Sequence, residues 1–160
     1  MTQSPTDAVV LQRTLAASPE AVWQMWTVPE HFESWYGPDG ATVRVATMDV
    51  RVGGARLIEM SMPTPDGPMA MWFGGKHREV SPHSRLAYSE AMTDESGTPL
   101  PAEAVGLPEH HPLVTEVVVE LAEADGGTHL RLAHAGIPAD SPGATGWAMA
   151  LDKLIARLAG

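Results

Sequence analysis

Apolar and polar residues alternate from Val9 to Ala16, with Val9, Leu11 and Leu15 on one face and Val10 and Gln12 on the other. That period of two predicts a strand. At Ser18-Pro19-Glu20 the pattern changes to that of a helix start. Serine caps the free N–H groups, proline tolerates the first helical position, and an acid suits the positive helix end. Val22 and Trp26 then lie one turn apart, with Trp23 and Met25 beside them. Thr27 to Pro29 interrupts this helix, and a second short one is predicted from Glu30 to Trp35, stopped by Gly37-Pro38.

From Thr42 the period returns to two. Strands are predicted over Thr42 to Val50, Ala55 to Met62, Met69 to Val80 and Arg85 to Thr93. Gly53-Gly54, the Pro63 to Gly67 segment and Ser81-Pro82 turn the chain between them, and Gly74-Gly75 breaks or bulges the third of these strands. Asp94 to Pro112 reads as a long loop, and loops beyond about 12–15 residues are usually lids or disordered. Val114 to Glu123 and Thr128 to Ala135 form a hairpin around Gly126-Gly127. A helix from Asp140 to Ala159 closes the chain, capped by Ser141 with Pro142 at its first position. Trp147, Leu151, Leu154, Ile155 and Leu158 share one face of it. The order is one strand, two short helices, a run of antiparallel strands and one long helix. Helices segregated to one face of an antiparallel sheet make an α+β fold.

Composition narrows the functional classes. A chain of 160 residues suits one domain, 1–160, with residues 1–8 expected to be flexible. A domain of this size buries roughly 70% of its unfolded-chain surface, so it needs no covalent staple. With no cysteine there is no disulfide, thiol nucleophile or thiolate metal ligand. Met1 to Asp7 is polar and does not read as a signal peptide, and no apolar run approaches the roughly 20 residues of a membrane span. A cytoplasmic location and no membrane insertion are expected. The formal charge of −10 repels phosphate backbones, so nucleic acid is not an expected partner. Methionine occurs 9 times and tryptophan 5 times, against 2 phenylalanines and 2 tyrosines. Methionine fills irregular space, in a core or around a varied guest.

An ordered set of residues adds a resemblance. It comprises Ala21-Val22-Trp23, Pro29-Glu30, Trp35, Arg51-Val52-Gly53-Gly54, Gly75, Glu79-Val80-Ser81-Pro82, Gly127-Thr128, His134-Ala135-Gly136 and Gly146-Trp147 with Leu151 and Leu154. In this set the chain resembles the START-like (SRPBCC) superfamily, in the branch named after the activator of the heat-shock-protein-90 ATPase. The resemblance spans Val9 to Leu158. It implies a helix-grip fold, with a curved antiparallel sheet of six to seven strands around the C-terminal helix and a cavity between them. It also implies binding of a hydrophobic small molecule, without a shared catalytic set.

The family pattern places Arg56, Ile58, Met60 and Met62 on the inner face. Alternation adds Met69, Met71, Phe73, His77 and Glu79, unless the Gly-Gly pair shifts the register, since a one-residue slip reverses every face. Leu86, Tyr88, Glu90 and Met92 form another set, followed by Thr115, Val117, Val119 and Leu121, then Thr128, Leu130, Leu132 and His134. The candidate ligand-binding residues are Trp35, Arg56, Ile58, Met60, Met71, Phe73, His77, Tyr88, Glu90, Met92, Val119, His134, Trp147 and Leu151. That makeup, mostly apolar with a few polar groups, is typical of small-molecule sites. A buried Arg56 needs a carboxylate, from Glu79 or Glu90, either as an internal ion pair or to orient a ligand. His134 is either a core histidine or a donor or general base.

Three functions follow. The first is binding of a hydrophobic or amphipathic small molecule. The second is an enzyme of cyclase, dehydratase or hydrolase type, with His134 or His77 as base and Glu90 as its partner. The third is a chaperone-partner module, which needs an apolar convex face. Glu59, Ser61, Arg78, Glu116, Glu120 and Arg131 make that face polar. Adjacent histidines in Glu109-His110-His111 point apart, so no metal is expected. Neither Gly-Gly pair precedes a helix, so neither reads as a phosphate loop. No cofactor is implied, and a homodimer is left open.

Overall fold

The computed structural model describes residues 8–105, 113–137 and 141–159. Strand β1 (Ala8–Leu15) leads into helices α1 (Pro19–Thr27) and α2 (Pro29–Glu33). Strands β2 (Thr42–Met48), β3 (Ala55–Met62), β4 (Met69–Ser81) and β5 (Arg85–Thr93) follow. A 3-10 turn (Ala102–Val105), β6 (Thr115–Ala124), β7 (Gly127–Ala135) and helix α3 (Pro142–Ala159) complete the described chain. The strands form one antiparallel sheet in the order β1-β7-β6-β5-β4-β3-β2. The α+β helix-grip expectation holds, with seven strands and two short helices after the first.

The helix starts follow from their side chains. Ser18 Oγ accepts from the Ala21 N–H at 3.2 Å, and Ser141 Oγ accepts from the Ala144 N–H at 3.3 Å. The second short helix ends two residues before Trp35, so Trp35 and Tyr36 leave α2 in the turn that follows it. In α3, Trp147, Ala150, Leu151 and Leu154 are buried, as a stripe at helical spacing requires. Lys153 Nζ donates to the Pro38 carbonyl at 3.3 Å, tying α3 to the segment after α2.

Two irregularities fix which side chains face inward. In β2 the register slips between Val45 and Thr47. In β4 the Gly74–Ala91 and His77–Tyr88 pairs keep one offset, and the slip falls between His77 and Glu79. The inner face therefore carries His77 but not Glu79, which pairs with Ala87 on the opposite side. The expectation that Glu79 lies inside is corrected. Its carboxylate binds Arg85 at 2.7 Å on the convex face, because one extra residue in a strand inverts everything beyond it.

The core lies between the sheet and the helices. Trp26, Phe32, Trp35, Tyr36 and Trp147 meet there edge-to-face, stacked or tilted, with centroids 4.5–6.3 Å apart. The convex face is charged and paired, by Arg44–Glu59, Arg78–Glu116, Arg85–Glu120 and Arg131–Glu120. Among the described residues no helix is long and apolar enough to cross a membrane.

Candidate functional site

Arg56 is 3% exposed. Backbone pairing explains how it reaches a partner on the next strand but one. Arg56 stands opposite Gly75, and the constant β4–β5 offset puts Gly75 opposite Glu90. The position between them has no side chain, so the arginine can cross β4. Its Nη1 donates to Glu90 Oε1 at 3.4 Å. The guanidinium carbon lies 3.8 Å from the Tyr88 ring centroid and 5.5 Å from that of Phe32. Its charge is thus held by one carboxylate and two aromatic faces.

Gly75 has a second reason to be glycine. A Cβ there would lie 1.9 Å from the Ser89 carbonyl oxygen. The backbones approach closely because the Ser89 hydroxyl accepts the Lys76 N–H at 3.0 Å.

Glu90 has two further neighbours. The Tyr36 phenol faces it, and burial, followed by the Glu90 charge, raises that phenol well above its ordinary range. His134 Nε2 is 3.9 Å from Glu90 Oε2. The imidazole is oriented by other groups. Trp147 Nε1 donates to His134 Nδ1 at 2.9 Å, and Thr115 Oγ1 lies 2.7 Å from Nε2. An indole N–H only donates, so Nδ1 must be the acceptor and Nε2 carries the proton. The Thr115 hydroxyl donates to the Glu90 backbone carbonyl at 3.1 Å. This chain ties α3 to β7, β6 and β5.

Tyr88 Oη and Trp26 Nε1 are buried without a hydrogen-bond partner among the described residues. Burial raises the Tyr88 phenol, opposed by Arg56. The Trp26 indole is a donor, and the Tyr88 hydroxyl both donates and accepts.

The other candidates fall into separate groups. Ile58, Met60, Val119 and Leu151 are buried in the hydrophobic core. Met71, Phe73 and Met92 are half-buried nearer the β3–β4 end. The Trp35 indole donates to the Met25 carbonyl at 2.8 Å, which fixes the turn after α2. His77 Nδ1 lies 3.3 Å from the Gly54 carbonyl oxygen, and its backbone pairs with Gly53 and Gly54. Burial, then the Arg56 charge, lowers its pKa. His77 is therefore a neutral clamp on the β2–β3 connection. The residues brought together are Arg56, Tyr88, Glu90, His134 and Trp147.

Sequence reasoning missed Tyr36, Phe32 and the role of Gly75. Thr115 was placed on the inward face with Val117 and Val119, though not among the candidate ligand-binding residues. Tyr36 was not readable, because a turn has no period that assigns faces, and the 5-residue α2 that carries Phe32 is too short to show one.

Among the described residues no group of three or more histidines and carboxylates is placed to hold a metal. Glu109-His110-His111 lies outside the described residues, as does part of the proposed lid over 94–112. The described part, from Asp94, is locally ordered: the Asp94 carboxylate accepts the Ser96 and Thr98 N–H groups. A separate cleft of about 300 Å³ lies between the start of β2 and the β3–β4 turn, lined by Thr42, Ser61, Pro63 and Thr64.

Comparison with known proteins agrees with this architecture. A protein of Chromobacterium violaceum of solved structure is 25% identical, covering 96% of this chain and 99% of its own, with a TM-score of 0.76. One from Mycobacterium smegmatis is 22% identical over 96% of this chain and 91% of its own, also at 0.76. One from Nitrosomonas europaea is 23% identical over 98% of both chains, at 0.74. No curated protein matches the chain. Residues 16–159 match the family described as Activator of Hsp90 ATPase homolog 1-like protein, and with β1, the seven-stranded sheet and α3 all in place, the chain belongs to that family.

Proposed function

We propose that this chain binds a hydrophobic or amphipathic small molecule between the inner sheet face and α3. Arg56, Tyr88 and Glu90 orient its polar end, and the aromatic cluster holds its apolar part. One observation carries the reading: a fully buried guanidinium with five donors makes one hydrogen bond among the described residues, at 3.4 Å. A buried ion pair contributes little to stability unless its remaining donors are satisfied. An arginine retained there on such terms fits recognition better than scaffolding. The unpaired Tyr88 hydroxyl supports the same reading.

Native mass spectrometry of the protein purified from its own host tests this directly. A co-purifying compound is expected, with binding weakened by Arg56→Ala and by Trp147→Ala. If both variants retain full affinity for that compound, the site lies elsewhere.

The enzyme reading is weaker on geometry. A general base needs a free nitrogen within about 3 Å of its proton. Both His134 nitrogens already face Trp147 and Thr115, and Glu90 stands 3.9 Å away. The family description fits a partner module as well as a ligand binder. The paired charges of the convex face do not favour it. Retention of the chain on immobilised heat-shock-protein-90 would favour it.

A further inference from the structure

We infer that the β3–β4 hairpin carries a binding site for a soft monovalent metal ion, of the Cu(I) class, built from methionine sulfurs. The site lies apart from the Arg56–Glu90 pair and does not rest on the small-molecule reading.

Two short repeats flank the turn, Met60-Ser61-Met62 on β3 and Met69-Ala70-Met71 on β4. Residues two apart on a strand share a face, so each repeat aims both thioethers the same way. Pairing makes it one face for both repeats, because Met62 stands opposite Met69 and Met60 opposite Met71. Four sulfur side chains thus occupy a two-by-two patch. Opposed Cβ atoms lie about 4.5–5.5 Å apart and diagonal ones about 7–8 Å. Methionine is unbranched and flexible enough to bring sulfurs from such positions onto one ion. The turn fixes this register by itself: the Thr64 N–H donates to the Gly67 carbonyl at 3.1 Å, and the Gly67 N–H to that of Thr64 at 2.9 Å.

The four side chains differ in freedom. Met60 is buried in the core, its sulfur 3.5 Å from where a Cβ on Gly37 would lie. Met62 and Met71 are half-buried, and Met69 is 54% exposed. Core packing accounts for Met60. It does not account for Met69, since strand positions favour β-branched and aromatic residues. The remaining three sulfurs suffice for the low coordination numbers that Cu(I) accepts.

The donor set selects the ion. The patch is all thioether, neutral and soft, which suits Cu(I). Ca²⁺ and Mg²⁺ need oxygen ligands, and Zn²⁺ needs thiolate, imidazole or carboxylate. The chain has no cysteine. Asp94, one residue beyond the Trp72–Thr93 pair, turns its carboxylate to the Ser96 and Thr98 N–H groups instead.

The test uses the full chain with carbon-13 at its methionine methyls, titrated without oxygen with Ag(I), a redox-inert stand-in for Cu(I), and separately with Zn²⁺. Ag(I) is expected to move the methyl signals of Met62, Met69 and Met71 and to leave Met25 and Met48 in place; Zn²⁺ should move none of the three. Competition with bicinchoninate then reads Cu(I) affinity. Met69→Leu and Met71→Leu nearly conserve volume, so the fold is kept. Each should weaken Cu(I) by about tenfold or more, no less than the loss of an outer-shell partner does. Met48→Leu should leave it unchanged. If Ag(I) leaves the three signals unmoved, or moves Met25 and Met48 as much, or if Zn²⁺ moves the three equally, the patch is apolar lining only and the inference fails. Leucine variants that hold Cu(I) as tightly as the parent overturn it as well.

Discussion

Arg56 is the residue on which the interior depends. Its guanidinium lies close over the Tyr88 ring, within reach of Phe32, and is paired to Glu90. Arg56→Met strands a buried carboxylate, which should cost about 3–5 kcal/mol. The double change Arg56→Met with Glu90→Leu removes both charges and should recover most of that loss. Urea denaturation of the two variants checks this, and a single variant within about 1 kcal/mol of the parent contradicts it. His77 supplies the pH dependence at this scale. Its folded-state pKa lies below the ordinary 6.5, so the unfolded chain takes up a proton first. The stabilising contribution is complete above that value and declines as pH falls from about 6.5 through the folded pKa. Stability measured from pH 7.5 to pH 5 should fall, and His77→Gln should flatten the decline.

At the scale of elements, β4 decides which side chains meet. Gly75 lets Arg56 cross to Glu90, and the slip after His77 sends Glu79 outside to Arg85. Gly75→Ala places a methyl against the Ser89 backbone, which β5 cannot yield without losing its pairing. A cost of about 3 kcal/mol or more is expected, read as a lowered denaturation midpoint. Affinity for the co-purifying compound should fall with it, since Arg56 and Glu90 are displaced together. An alanine variant as stable as the parent would show that β5 relaxes freely at this point. The helices are less exacting, because their caps at Ser18 and Ser141 are local.

For the whole molecule, the bond between Trp147 and His134 joins the last element to the sheet. Trp147→Phe keeps the ring contacts with Trp26 and Tyr36 but deletes that bond. A loss of about 1–2 kcal/mol is expected. Amide exchange should accelerate in α3 and near His134 more than in β2 and β3. Uniform acceleration across the sheet would mean that α3 is not separately anchored. The family match runs over residues 16–159, so α3 and the sheet strands from β2 to β7 that these contacts join all lie within it.

Element order, the helix caps and the inward sets of β3, β5 and β7 were legible in the sequence. Each depends on neighbours a few residues away, and periods of two or 3.6 report them directly. The pattern also required a carboxylate for Arg56. It did not choose between Glu79 and Glu90, because that choice turns on a slip between His77 and Glu79, which apolar alternation does not mark. Tyr36 reached the site through a turn, where no period applies, and Phe32 through a helix of 5 residues, too short to show one. The pairing of Trp147 with His134 joins residues on different elements, and only the packing of α3 across the sheet brought their nitrogens to 2.9 Å. Local chemistry set the elements; the three-dimensional fold set which charges and donors face one another.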